Sequence, residues 1–185
     1  YGVGGRLLFW GGDQWHYREP NTIHDLFCMW GTDINNIHSV GGEGTYRFHD
    51  GKQFQRRDEL TSEEVSLYGV WGSASDDVYI VGSHGTILHF DGNEEGEWKP
   101  MVSGTDEYLL SVWGSCSNDI FAVGDNATIL HYDGKSWSAM ESKTDKYLTK
   151  IRGLRSDCIY AVGDDGLVIR FDGKKWNDMS LGEDA

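Results

Sequence analysis

The stretch VWGSASDDVYIVGSHGTILHFDG at Val70–Gly92 returns 42 residues later as VWGSCSNDIFAVGDNATILHYDG at Val112–Gly134. Three markers carry the match along the chain. The pairs Asp50-Gly51, Asp91-Gly92, Asp133-Gly134 and Asp172-Gly173 are spaced by 41, 42 and 39 residues. Trp30, Trp71, Trp113 and Arg152 keep the same three spacings, and so do Val40-Gly41, Val81-Gly82, Val123-Gly124 and Val162-Gly163. Markers in step at one period define a repeat, in which each unit needs its neighbours to bury its apolar surface.

Each unit reads as four short strand signals. The first runs from a leucine to a Trp-Gly turn, as in Leu67 to Trp71-Gly72-Ser73. The second is β-rich, as in Val78-Tyr79-Ile80-Val81. The third, Thr86-Ile87-Leu88-His89-Phe90, follows a glycine-rich turn. The fourth carries Trp98, Trp137 or Trp176, with Met101, Met140 or Met179 three residues on. Asp-Gly joins the third strand to the fourth, because glycine accepts the positive φ of a tight hairpin. No stretch shows a convincing 3.6-residue apolar period, so no helix of consequence is expected.

A four-stranded antiparallel unit repeating about every 40 residues predicts an all-β protein, a β-propeller of four-stranded blades. The expected blades span about residues 21–60, 61–102, 103–142 and 143–181, within a single propeller domain over 1–185. Tyr1-Gly2 aligns with Val40-Gly41, and Leu7–Gly12 with a third strand and its turn. The chain therefore begins with a half blade over 1–20. Four complete blades and a half blade predict a five-bladed propeller or a piece of a larger one.

Composition fits that reading. Glycine numbers 25 of 185 residues, about twice the usual share of roughly 7%. With 8 Trp, 9 Tyr, 7 Phe and only 2 Pro, the glycine excess reads as punctuation between strands rather than disorder. A net charge of −14 argues against nucleic acid or an anionic membrane as partner, since both demand clustered positive charge. No apolar run reaches the roughly 18 residues of a membrane span, so no membrane insertion is expected. Cys28, Cys116 and Cys158 form no C-x-x-C pair and no closed disulfide framework, and read as small packed thiols.

GTILHFDG at Gly85–Gly92, ATILHYDGKSW at Ala127–Trp137 and VWGSASDDVYIVG at Val70–Gly82 resemble a bacterial propeller repeat family. They are similar to the repeats of photosystem II stability-factor-like proteins and, more distantly, to the Asp-box repeats of sialidases. The resemblance covers the whole chain and implies the fold. It implies no catalytic residue, because such repeats serve lectins, hydrolases and assembly factors alike. The pattern also departs from a true Asp box: His89, His131 or Arg170 stands at its Ser/Thr position.

Candidate site residues fall into two groups. Trp30, Trp71 and Trp113 recur at the ends of first strands, where they either pack between blades or offer stacking faces to a sugar. His84, Asp125 and Asp164 lie with Glu43 and Asp165 in the turns between second and third strands. With Thr105-Asp106-Glu107 and Thr144-Asp145-Lys146 they form an acidic rim on the face where propeller loops cluster. His89 and His131 match one another on separate blades, which is packing rather than metal-ligand spacing. The Asp of each Asp-Gly pair is read as a turn residue whose carboxylate bonds its own backbone. Asn126-Ala127-Thr128 fits a glycosylation triplet and decides nothing alone.

No Ser-His-Asp order, H-E-x-x-H, P-loop or dinucleotide fingerprint appears, so no enzyme activity, metal or cofactor is expected. Two readings stand: a carbohydrate-binding, lectin-like propeller with a glycan ligand, or a protein-interaction scaffold within a larger assembly. Other segments of a longer chain, or an oligomer, are further expected partners. The repeat style and the acidic, lysine-poor composition point to a secreted or cell-surface bacterial chain.

Overall fold

A computed structural model describes residues 7–10, 12–18, 21–56, 60–62, 64–92 and 97–180. The described residues form one two-stranded sheet and four four-stranded antiparallel sheets. The two-stranded sheet pairs β1 (Leu7–Trp10) with β2 (Trp15–Arg18). The first full sheet follows as β3 (Leu26–Asp33), β4 (Asn36–Gly41), β5 (Tyr46–His49) and β6 (Phe54–Arg56). The second holds β7 (Leu67–Ala74), β8 (Asp77–Gly82), β9 (Ile87–Phe90) and β10 (Trp98–Pro100). The third holds β11 (Leu109–Cys116), β12 (Asp119–Gly124), β13 (Ile129–Tyr132) and β14 (Trp137–Ala139). The fourth holds β15 (Leu148–Arg155), β16 (Cys158–Gly163), β17 (Val168–Phe171) and β18 (Trp176–Asp178). This is the all-β propeller architecture that the repeat predicts, with strands in simple meander order. The alignment of Tyr1-Gly2 and the segment beyond Ser180 lie outside the described residues.

Burial explains why the sheets stack. Val78 to Gly82 are buried without alternation, as expected of a strand covered on both faces. Val78, Ile80 and Leu88 of the second sheet meet Val40 and Tyr46 of the first. Tyr79, Val81 and Ile87, on its opposite face, meet Ile120, Ala122 and Leu130 of the third. Phe121, Val123 and Ile129 in turn meet Ile159, Ala161 and Ile169 of the fourth. The core is thus three apolar layers between successive sheets. Each fully buried aliphatic side chain in them stabilises the stack by about 1.5–3 kcal/mol.

The structure corrects the reading of two glycine markers. Trp71-Gly72 lies inside β7 and not at a turn, which comes at Ser75-Asp76. Its glycine serves packing between sheets: a Cβ on Gly114 would sit 2.6 Å from the Trp71 ring, and the same ring-on-glycine contact recurs at Gly72 and Gly153. The Val-Gly glycine likewise ends a strand, where the carbonyl of Ser66, Tyr108 or Tyr147 leaves no room for a side chain. The Asp-Gly glycine is a true turn residue, with φ of 89° at Gly134. Its loop extends beyond the Asp-Gly pair, however. Asp133 N–H donates to the Ser136 carbonyl at 3.4 Å, and Asp133 Oδ1 accepts the N–H groups of Lys135 and Ser136 at 2.9 Å each. Asp50 and Asp172 do the same, as turn chemistry predicts.

Candidate functional site at the channel mouth

The first strand of every full sheet begins with a buried leucine, Leu26, Leu67, Leu109 or Leu148. The next residue falls in a β-bulge: the register skips between Leu26 and Cys28, Leu67 and Gly69, Leu109 and Ser111, and Leu148 and Lys150. A bulge re-aims one side chain out of the strand's alternation. Phe27, Tyr68, Leu110 and Thr149, the four bulged residues, together with Lys150 line one cavity of about 440 Å³. Four sheets contribute to that single cavity, so their first strands surround a common channel.

An aromatic row runs along its mouth. Phe27 stacks on Tyr68 with centroids 5.6 Å apart, and Tyr68 on Tyr108 at 6.1 Å. His84 meets Tyr108 edge-on at 5.3 Å. The turns between second and third strands form the rim above. In each, the central residues have positive φ: Glu43-Gly44, His84-Gly85, Asn126-Ala127 and Asp165-Gly166. The N–H of Asp125 donates to the Tyr108 carbonyl at 2.9 Å, and that of Ser83 to Ser66 at 2.9 Å, tying rim to channel. Asn126 Nδ2 donates to Glu107 Oε2 at 2.9 Å. Burial raises the Asp125 carboxyl above the ordinary carboxylate range, and the charges of Glu107 and Asp164 add to the rise. The rim therefore favours an incoming positive charge.

The sequence-derived residues divide between two places. His84, Asp125 and Asp164 sit on the rim, with Asp125 close enough to Asp164 to feel its charge. They do not occupy equivalent positions, because His84 aligns with Asn126 and Asp165, while Asp125 and Asp164 align with Ser83. Trp30, Trp71 and Trp113 stand apart, half-buried between sheets with their six-membered rings against Gly72, Gly114 and Gly153. Sequence reasoning missed Phe27, Tyr68 and Leu110. Their signal is the apolar pair Leu26-Phe27, Leu67-Tyr68 or Leu109-Leu110, which breaks strict alternation and marks a bulge.

At the opposite end of the second and third sheets, two polar triplets recur. Ser73 Oγ donates to Asp77, whose Oδ1 lies 2.7 Å from His89 Nε2. Ser115, Asp119 and His131 repeat this, with the histidine at 2.8 Å. The carboxylate stands between serine and imidazole, so the imidazole does not reach the hydroxyl and the order differs from that of a serine–histidine–aspartate triad. Each histidine stacks on an aromatic of its own sheet, Tyr79 at 4.2 Å or Phe121 at 4.4 Å, rather than across sheets. Among the described residues, no group of three or more His, Cys, Asp or Glu side chains is placed to hold a metal ion.

Stacked four-stranded sheets around a channel with a loop-built rim define a β-propeller. Among solved structures, the chain is similar to YCF48 bound to D1 peptide, with TM-score 0.68 and 16% identity over 85% of this chain and 54% of that one. It is also similar to YCF48 from Cyanidioschyzon merolae, with TM-score 0.66 and 13% identity over 94% of this chain and 66% of that one. The chain thus spans between half and two thirds of the length of these propellers. Both neighbours belong to the photosystem II group that the repeat resembles, and neither bears on the sialidase Asp box. No family model and no curated protein matches the chain.

Proposed function

We propose that this propeller is a non-enzymatic protein-interaction module that holds an extended peptide segment of a partner at the channel mouth. The observation that carries the reading is the set of bulged residues Phe27, Tyr68 and Leu110, aimed from three sheets into one cavity with an acidic rim above it. Aromatic and aliphatic walls take apolar side chains, and the rim around Asp125 takes a basic group. A propeller of the same fold bound to a peptide supports the choice of ligand class.

The carbohydrate reading has less support. The Trp30, Trp71 and Trp113 rings lie against glycines of the next sheet, so their faces serve packing before any ligand. A screen of phage-displayed linear peptides beside a glycan array decides between the two. Selected peptides are expected to bind, and Tyr68→Ser to weaken them about tenfold or more, the loss of one aromatic anchor. Leu154→Ser, exposed and distant from the rim, is expected to leave binding unchanged. Glycan binding with no peptide selected would overturn the proposal.

A further inference from the structure

The rim turns of the first, third and fourth full sheets are fastened by a side chain, and that of the second is not. In each fastened turn, the first residue of the positive-φ pair meets the residue two places before the first strand of its own sheet. His24 Nδ1 lies 3.4 Å from Glu43 Oε2, and Lys146 Nζ lies 3.5 Å from Asp165 Oδ2. Asn126 Nδ2 makes the same link to Glu107 Oε2 at 2.9 Å. In the second sheet these two places hold Val65 and His84. Valine offers neither donor nor acceptor. Among the described residues His84 makes no hydrogen bond or ion pair, and its contact is the edge-on one with Tyr108.

The unfastened histidine lines a groove of about 730 Å³, larger than the channel cavity. Leu60 from the first sheet's outgoing loop, with Met101 and Val102 from the second sheet's, gives it an apolar wall, and Asp106 adds a carboxylate. Val102 is 88% exposed, an aliphatic side chain left in water at the groove. An apolar concavity of this size with a few polar groups is the usual form of a ligand site. His84 belongs to both places: it lines the groove and, through Tyr108 and Tyr68, continues the aromatic row of the channel mouth.

We infer that this groove is a second anchor site for the peptide proposed at the channel mouth, a reading on which it rests. It takes one large apolar side chain of the extended segment, next to a basic residue that meets Asp106. His84, free of any partner in its own turn, hydrogen-bonds the peptide backbone between the two anchors. Linked contacts reinforce each other, since the second forms at the effective concentration that the first sets. A second copy of this chain fits the groove less well, because it brings a further charge of −14 against Asp106 and the acidic rim.

Fluorescence-anisotropy titration of a peptide selected on the whole chain, with each of its residues changed in turn to alanine, tests this. At one large apolar position, alanine is expected to weaken binding to the parent protein about tenfold. In Val102→Asp, a change at an exposed position, the same alanine is expected to cost about twofold or less, because the groove no longer takes that side chain. His84→Ala is expected to weaken the parent peptide about fivefold. The variant keeps a usable backbone, since Ala127 already holds positive φ in the third sheet's rim turn. Alanine losses equal in the parent and in Val102→Asp at every apolar position would overturn the inference, as would His84→Ala binding like the parent. Tyr68→Ser separates the two readings. If it weakens binding while the groove variants do not, the groove alone falls; if it binds like the parent, the channel reading falls. Self-association of the peptide-free chain that Val102→Asp abolishes would give the groove to a second copy, and so overturn the inference too.

Discussion

Ala127 holds φ at 56° in a position where the other sheets carry Gly44, Gly85 and Gly166. A Cβ in the left-handed region costs about 1 kcal/mol, so Ala127→Gly is expected to raise unfolding stability by about that amount in a denaturant titration. Asp125 supplies a pH-dependent counterpart. Its carboxyl is held above the ordinary range, so the folded state disfavours the ionised form. Asp125→Asn is therefore expected to stabilise the protein at neutral pH, with the gap to the parent closing as acidification protonates Asp125. The turn aspartates have the opposite sign. Backbone N–H bonds hold Asp133 below the ordinary range and Asp172 down to about 2. Their contribution is full above about pH 4 and is lost as pH falls toward 2, which Asp133→Ala and Asp172→Ala should flatten in acid-denaturation curves. These turn roles were legible from the repeated Asp-Gly pairs, because the chemistry is local. The positive φ of Ala127 was legible only by aligning it with glycine in the other units.

At the scale of the element, the strand with its bulge decides what the protein can present. Glycine inside the first strand is a contact between sheets, and Gly114→Ala would place a methyl 2.6 Å from the Trp71 ring. Such overpacking is expected to cost about 3 kcal/mol or more by chemical denaturation. The Ser-Asp-His triplets stitch the ends of the second and third sheets. Asp77→Ala is expected to lose about 1.5–3 kcal/mol for the charged hydrogen bonds, with no loss of peptide binding at the channel. The strands themselves were legible from β-rich runs set between repeated markers. Trp-Gly was misread as a turn because the partner that demands Gly72 is Trp30, far away in the sequence. The bulged residues carried no repeated letter, being Phe27, Tyr68, Leu110 and Thr149, so no marker in the repeat pointed to them. In the proposed reading, binding rests on the position that the repeat leaves free to vary.

For the whole molecule, the period of about 40 residues makes the four sheets and the two-stranded sheet legible in the sequence. Register set the three apolar layers, since residues at equal places in each unit face the same way. The channel was not legible in that way. It exists only when first strands from four sheets are brought around one axis, and a bulge turns one side chain from each into it. Charge acts at this scale as well: the −14 balance argues against polyanionic partners and leaves the rim attractive to basic groups. Hydrogen-exchange mapping with and without a peptide selected from the phage library tests the central claim most directly. The account predicts added protection at residues 26–28, 67–69 and 109–111 and in the rim turns 83–86 and 125–128, with little change in β10, β14 and β18. Protection confined to those outer strands, with the channel residues unchanged, would contradict it.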